Sequence, residues 1–241
     1  MSGTETAPPR VSIVIPVYNE EKILPTAVAG LREGLKDFDF TYEIILAENG
    51  SKDRTREIGK ELGERYPDVS MFSASEPNYG KALKEGILRA RGEFVICDEI
   101  DLCLTDFYRV AIAKLERNEC DFVVGSKLLG ESNDDRPWTR HAASMIYNGL
   151  LRVTLGFKGT DTHGIKAFRR AAVLDTVRAC LVDKDVFASE LVLRAERGGI
   201  RVAEVPIKLR EIRPPSVNLI KRVPNVLKNV GKLVWAIRVQ G

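Results

Sequence analysis

Apolar residues in this chain come in short unbroken runs and in helical stripes, and the two alternate. The first run, Val11 to Val17, is continuous and rich in β-branched residues, which predicts a strand covered on both faces. After the polar turn Tyr18-Asn19-Glu20-Glu21, residues Ile23, Leu24, Ala27, Val28 and Leu31 recur at helical spacing. Tyr42 to Ala47 repeats the strand, residues 48–53 repeat the polar turn, and a charged helix is predicted from Thr55 to Glu64. Val69 to Ser73 and Gly80 to Arg91 form a third strand and helix. Phe94 to Cys97, Phe107 to Arg117 and Asp121 to Gly125 then predict strand, helix and strand. Strands alternating with helices at this spacing predict an α/β fold with a parallel sheet built from right-handed crossovers.

The rhythm breaks after Gly125. Residues 126–138 have the composition of a loop over a site. A helix is predicted from Thr139 to Leu155, then the segment DTHGIKAFRR at 161–170, a helix from Val186 to Arg197 and a strand from Arg201 to Leu209. The pattern divides the chain into a disordered stretch at 1–10, a folded domain at 11–217 and a C-terminal helix at 218–241. In that helix Leu219, Val223, Leu227, Val230 and Val234 recur among Lys221, Arg222, Lys228, Lys232 and Arg238, with no acid. Pro224 opens or kinks it. Two readings of this basic amphipathic helix stay open: it lies on an anionic membrane surface, or it packs its apolar stripe on its own domain.

Composition changes this picture little. The chain has 241 residues, 44% of them hydrophobic and 29% charged, and a net charge of +3, which gives no argument for nucleic acid as a partner. Cys97, Cys103, Cys120 and Cys180 lack paired spacing, which argues against a zinc site or disulfide framework and for a reducing compartment. The polar start carries no signal-peptide pattern and no run reaches the length of a membrane span, so the expected location is cytoplasmic, with the terminal helix offering a peripheral contact on the inner face of the membrane.

The candidate chemistry sits at strand ends. Asp98-Glu99-Ile100-Asp101 follows Phe94 to Cys97 directly, and three acids in four residues repel one another unless a cation joins them. Tyr18, Asn19 and Glu20, with Glu48, Asn49 and Ser51, end two other strands, and in a parallel sheet these ends converge on one cleft. Tyr18-Asn19-Glu20 also suits a helix-opening turn, and Asp53 reads as a helix N-terminal residue. The Gly80-Lys81-Ala82 turn adds backbone N–H groups and a cation that suit a phosphate.

Several ordered motifs carry a resemblance to the family 2 glycosyltransferases of the GT-A fold. VSIVIPVYNEEKIL resembles the opening strand and turn of that family, EIILAENGSKDRT its D-D-G-S-x-D-x-T segment, and NYGKALKEGILRARGEF the Gly-rich helix before its D-x-D strand. VVGSK at 123–127, DTHGIKAFRR at 161–170, the stretch from Phe187 to Arg210 and Arg213 to Ser216 resemble the subgroup that transfers a sugar onto polyprenyl phosphate. The resemblance implies a mostly parallel sheet flanked by helices. It places Pro16, Tyr18, Glu20, Glu48, Asn49, Lys81 and Asp98 at a nucleotide sugar, and Asp101 with Glu99 on a divalent metal, Mg²⁺ or Mn²⁺. It places Lys127, Arg169, Arg213 and His163 at an acceptor phosphate, with Arg170 a further candidate. Glu48-Asn49 stands where Asp-Asp is usual, Glu99 where the first Asp of D-x-D is usual, Lys127 where an arginine is usual, and His163 where Ser or Cys is common. No QxxRW segment of the processive synthases is present.

The implied activity is a metal-dependent, inverting transfer of a hexose or N-acetylhexosamine from a nucleoside diphosphate sugar to a polyprenyl phosphate. A non-lipid glycan acceptor, or a catalytically dead nucleotide-sugar-binding module, are the competing readings.

Overall fold

Seven strands form one sheet in the order β3-β2-β1-β4-β6-β5-β7, with helices on both faces. The computed structural model describes residues 7–74, 76–129, 138–208 and 219–239. Strands β1 (Val11–Val17), β2 (Tyr42–Asn49), β3 (Val69–Ala74) and β4 (Phe94–Cys97) alternate with helices α1 (Leu24–Gly34), α2 (Thr55–Arg65) and α3 (Tyr79–Arg89). Helix α4 (Thr105–Glu116) leads to β5 (Phe122–Ser126), and α5 (Trp138–Leu155) to β6 (Lys166–Arg169). Then follow α6 (Arg170–Ala179), α7 (Phe187–Arg197), β7 (Val202–Pro206) and α8 (Leu219–Arg238).

Because both faces are covered, the central strands are apolar at nearly every position. Val11, Ile13, Ile15 and Val17 of β1 face α1 and α4 through Leu24, Val28, Leu31, Phe107 and Leu115. Val14, with Ile45, Val95 and Phe122, faces α3, α5, α6, α7 and α8 through Leu83, Leu151, Val173, Leu191 and Leu233. The same alternation therefore builds two apolar layers, one on each side of the sheet.

Strands β1, β2, β3 and β4 are mutually parallel, and β5 is parallel to β7. Between the two groups β6 runs antiparallel, with Cys97 opposite Lys166 and Phe94 opposite Arg169. Neither β6 nor α6 stands out as an element in the hydrophobic pattern, because KAFRR is only four strand residues running directly into a helix. Residues 1–6 of the expected disordered stretch lie outside the described residues, whereas the Arg10 N–H donates to the Thr41 carbonyl at 2.9 Å. All four cysteines are free thiols.

Helix α8 packs Val230, Leu233 and Ile237 onto the second layer, and the Arg194 guanidinium donates to the Ala236 carbonyl at 3.0 Å. Among the described residues no helix is long and apolar enough to cross a membrane.

Candidate active site

Successive connections leave β1 in opposite directions along the sheet, first to β2 and β3 and then to β4, so a crevice opens beyond the ends of β1 and β4. The turns leaving β1 and β2 are fastened to each other there. Asn19 lies in the left-handed region at φ 55°. Its side-chain oxygen accepts from the Lys52 N–H at 2.8 Å, and its own N–H donates to Ser51 Oγ at 3.0 Å. The N–H of Glu20 donates to Thr55 Oγ1 at 2.6 Å, and that of Glu21 to Asp53 Oδ2 at 3.1 Å. Asp53 also accepts from the Thr55 N–H at 3.0 Å, the helix N-terminal role expected of it. Pro16 is buried in β1 opposite Ala47, while Tyr18 is 39% exposed and Glu20 half-buried at the rim.

Three residues expected at the nucleotide direct their polar atoms into the protein. Glu48 is 0% exposed and accepts from the Ser51 N–H, the Ser73 hydroxyl and, at 3.1 Å, the Arg56 guanidinium. Burial pushes its carboxyl up, but these donors leave it below the usual range. Asn49 accepts from the Asn78 N–H. Asp98 accepts from the Glu99 N–H at 2.7 Å, the Leu104 N–H at 3.0 Å and the Tyr108 hydroxyl at 2.7 Å, and burial raises it to about 6. It holds the turn between β4 and α4. The start of α3, expected as a phosphate anchor, is already capped, because Asn78 accepts from the Lys81 N–H at 3.0 Å and from the Lys184 N–H at 2.9 Å. A Cβ at Gly80 would meet the Lys184 carbonyl at 2.6 Å, so this helix start abuts residues of its own chain. The Lys81 side chain lies exposed, 3.5 Å from Glu76.

Glu99 and Asp101 are the other two acids of the cluster, both half-buried after β4. Glu99 accepts from the Tyr79 hydroxyl at 2.6 Å. Burial raises its carboxyl to about 7, with Asp101 and Asp98 adding repulsion. Asp101 is half-buried and borders a cavity of about 340 Å³ shared with Ile23, Ala27, Gly30 and Cys103 on the α1 side. None of Tyr18, Glu20 or Glu48 borders that cavity. Among the described residues no group of three or more His, Cys, Asp or Glu can hold an ion. A pair of hard oxygen donors in surplus negative charge fits Mg²⁺ or Mn²⁺, which take one or two carboxylates and complete their shell with phosphate oxygens and water.

Across the crevice, Lys127 Nζ lies 3.4 Å from Asp161 Oδ2. Burial raises the Asp161 carboxyl, but Lys127 and the His163 N–H, which donates to it at 2.9 Å, hold it below its usual range. A Cβ at Gly164 would stand 1.7 Å from the Gly125 carbonyl, so only glycine lets residues 161–164 lie against β5. His163 is exposed, its ring 5.0 Å from that of Tyr147. Beneath it Thr162 meets the Ser189 hydroxyl at 2.8 Å, and Ser189 meets the Tyr147 hydroxyl at 3.0 Å.

Arg169 requires correction. Because β6 is antiparallel, Arg169 pairs with the first residue of β4, at the strand end away from the acids, and binds Glu93 at 2.8 Å and the Leu115 carbonyl at 2.8 Å. The N–H of Arg170 donates to the Glu93 carbonyl at the same edge. Arg213 lies outside the described residues. The reversal brings Lys166 to the crevice instead. Lys166 is 3% exposed, donates to the Gly164 carbonyl at 2.6 Å, and is lowered to about 8 by burial while Asp161 and Glu99 favour its charge. Its sequence signal is a lysine inside the apolar run Ile165 to Phe168. Tyr79 and Asp161 were also unmarked by the strand-end pattern.

The family model "Glycosyl transferase family 2" matches residues 12–178. The chain is 30% identical over 237 residues to glycosyltransferase AglD of Haloferax volcanii, covering 95% of this chain and 38% of that protein. It is 34% identical over 219 residues to dolichyl-phosphate beta-glucosyltransferase ALG5D of Trichomonas vaginalis, covering 84% of this chain and 66% of that protein. The chain thus spans 38% and 66% of the lengths of these relatives. Glucosyl-3-phosphoglycerate synthase of Mycobacterium tuberculosis, crystallised with UDP, superposes with a TM-score of 0.67 at 20% identity, over 95% of this chain and 80% of that one. The same enzyme with Mn²⁺, UDP and glucosyl-3-phosphoglycerate superposes with a TM-score of 0.65 at 18% identity, over 95% and 79%. The mostly parallel GT-A architecture implied by the sequence is thereby met, and the chain belongs to glycosyl transferase family 2.

Proposed function

We propose that this chain transfers a hexose or N-acetylhexosamine, with inversion, from a nucleoside diphosphate sugar to a polyprenyl phosphate. The observation that carries the acceptor is the 34% identity, over 84% of the chain, to a dolichyl-phosphate beta-glucosyltransferase. The donor rests on the crevice at the β1/β4 switch and on a fold shared with an enzyme crystallised with UDP.

Tyr18 and Glu20 line the nucleotide side of the crevice. Asp101 and Glu99 hold the divalent metal, which when bound supplies positive charge for the leaving diphosphate. Glu48, Asn49 and Asp98 act one layer deeper, fixing the turns that carry these groups. On the opposite side Lys127 exchanges part of its pairing with Asp161 for the acceptor phosphate, and His163 borders the same position. A phosphate oxygen is anionic near neutral pH, so this acceptor needs no strong general base from the protein.

An exposed apolar surface supports the lipid acceptor. Helices α5 and α8 pack together and leave Met145, Ile146, Val153, Leu227, Trp235 and Val239 exposed, with Ile146 at 73% and Val153 at 85%. Lys228, Lys232 and Arg238 are exposed on α8. Apolar side chains beside cations suit an anionic lipid surface.

The test offers UDP- and GDP-sugars, radiolabelled in the sugar, with Mn²⁺ or Mg²⁺ and a polyprenyl phosphate, and follows label into organic solvent. Label that transfers only to a soluble phosphorylated or glycan acceptor selects the non-lipid reading. Nucleotide-sugar binding without any turnover selects a binding module. Co-sedimentation with anionic but not neutral vesicles is expected for the α5/α8 surface.

A further inference from the structure

Glu99 differs from the aspartate usual at its position by one methylene and one more rotatable bond. A glutamate in that place samples more rotamers, and ordering it for a metal costs more conformational entropy. One oxygen of Glu99 accepts the Tyr79 hydroxyl at 2.6 Å, while the other, Oε2, accepts no hydrogen bond from any described residue. The backbone that carries Tyr79 is held by contacts from three elements. Tyr79 is the first residue of α3, between two fixed neighbours. Asn78 gives its N–H to Asn49 at the end of β2 and receives the N–H groups of Lys81 and Lys184. Gly80 lies against Lys184 and Phe187 with no room for a side chain. The end of β2, the start of α3 and residues 184–187 thus fix the backbone from which the Tyr79 phenol reaches Glu99.

We propose that Tyr79 is a positioning residue: its hydroxyl takes one carboxylate oxygen of Glu99 and leaves the other presented to the divalent metal, so that a glutamate serves where a shorter acid is usual. This inference rests on the reading of Glu99 and Asp101 as metal ligands. A tyrosine serving only to satisfy its own buried hydroxyl would leave metal binding unchanged. Outer-shell hydrogen bonds to metal carboxylates, by contrast, commonly change metal affinity by about tenfold or more.

The experiment is calorimetric titration of the full chain with UDP and, in parallel, GDP, with and without Mn²⁺, alongside a melting curve. Tyr79→Phe is expected to weaken Mn²⁺-dependent nucleotide binding on the order of tenfold while metal-free nucleotide binding holds. In a Glu99→Asp background the shorter carboxylate no longer reaches the phenol, so adding Tyr79→Phe is expected to change nothing further. Wild-type Mn²⁺ response in Tyr79→Phe, or the same loss in the Glu99→Asp background, overturns the inference. Asp101→Asn serves as the control for the underlying reading. If it abolishes the Mn²⁺ response while Tyr79→Phe leaves it intact, the metal assignment stands and the role of Tyr79 falls. If neither nucleotide responds to Mn²⁺ in the wild type, both fall together.

Discussion

The two sides of the crevice are built differently. On the proposed donor side, β1, β2 and β4 run parallel, each polar turn follows its strand directly, and the turns are held by bonds such as Asn19 to Lys52 and Asp98 to Leu104. On the proposed acceptor side, Lys127 follows β5, Asp161 follows α5 and Lys166 opens the antiparallel β6, so residues from distant parts of the chain bring buried and half-buried charges together. A side assembled from local turns tolerates loss of a single bond, because the neighbouring turn still holds it. A side assembled from buried charges responds to each charge removed, since the remaining members re-pair.

The contrast is broken most severely at Asp101, on the proposed donor side. Asp101→Asn is expected to lower turnover on the order of a hundredfold or more with the circular dichroism spectrum unchanged, because it removes a metal carboxylate at nearly constant volume. Near wild-type turnover at saturating Mn²⁺ would sink the metal assignment.

The next effect belongs to Lys127. Lys127→Ala is expected to reduce kcat/KM for the phosphate acceptor on the order of tenfold or more while donor hydrolysis changes much less. It also carries a pH signature. The Asp161 carboxyl is held below its usual range in the folded chain, so it contributes stability above the ordinary carboxylate pKa and loses it as pH falls through the folded value. Without Lys127, burial dominates and Asp161 moves up. The acid-side fall in melting temperature is then expected to begin at higher pH than in the wild type.

A pair of substitutions at the two ends of one strand sharpens the comparison further. Lys166→Met keeps the stem but removes a neighbour cation from Asp161, which then holds Lys127 harder, and acceptor KM is expected to rise about fivefold. Arg169→Met, three residues on and at the other end of the strand, is expected to change steady-state constants by less than about twofold and to lower stability by about 1 kcal/mol or less. Equal kinetic effects from the two would mean that the strand, and not the charge at the crevice, is what matters.

How much was legible follows the same division. Strand-turn-helix units from Val11 to Ser126 were readable because apolar runs and helical stripes are local signals, and the acids after Cys97 followed from where a parallel strand ends. Which acids face the crevice was not readable. Asp98 and Glu99 are adjacent in sequence, yet one is claimed by Tyr108 and Leu104 and the other by Tyr79, and only the packing of α3 and α4 decides that.

The sequence by itself determined the α/β layering, the family and the position of the acidic cluster, since each follows from periodicity or from ordered motifs within a few residues. The tertiary structure decided that β6 runs against its neighbours. That reversal exchanges the ends of a four-residue strand, carrying Arg169 away from the acidic end of β4 and Lys166 to it. Strand direction is set by long-range pairing with β4 and β5, and no residue within KAFR encodes it alone.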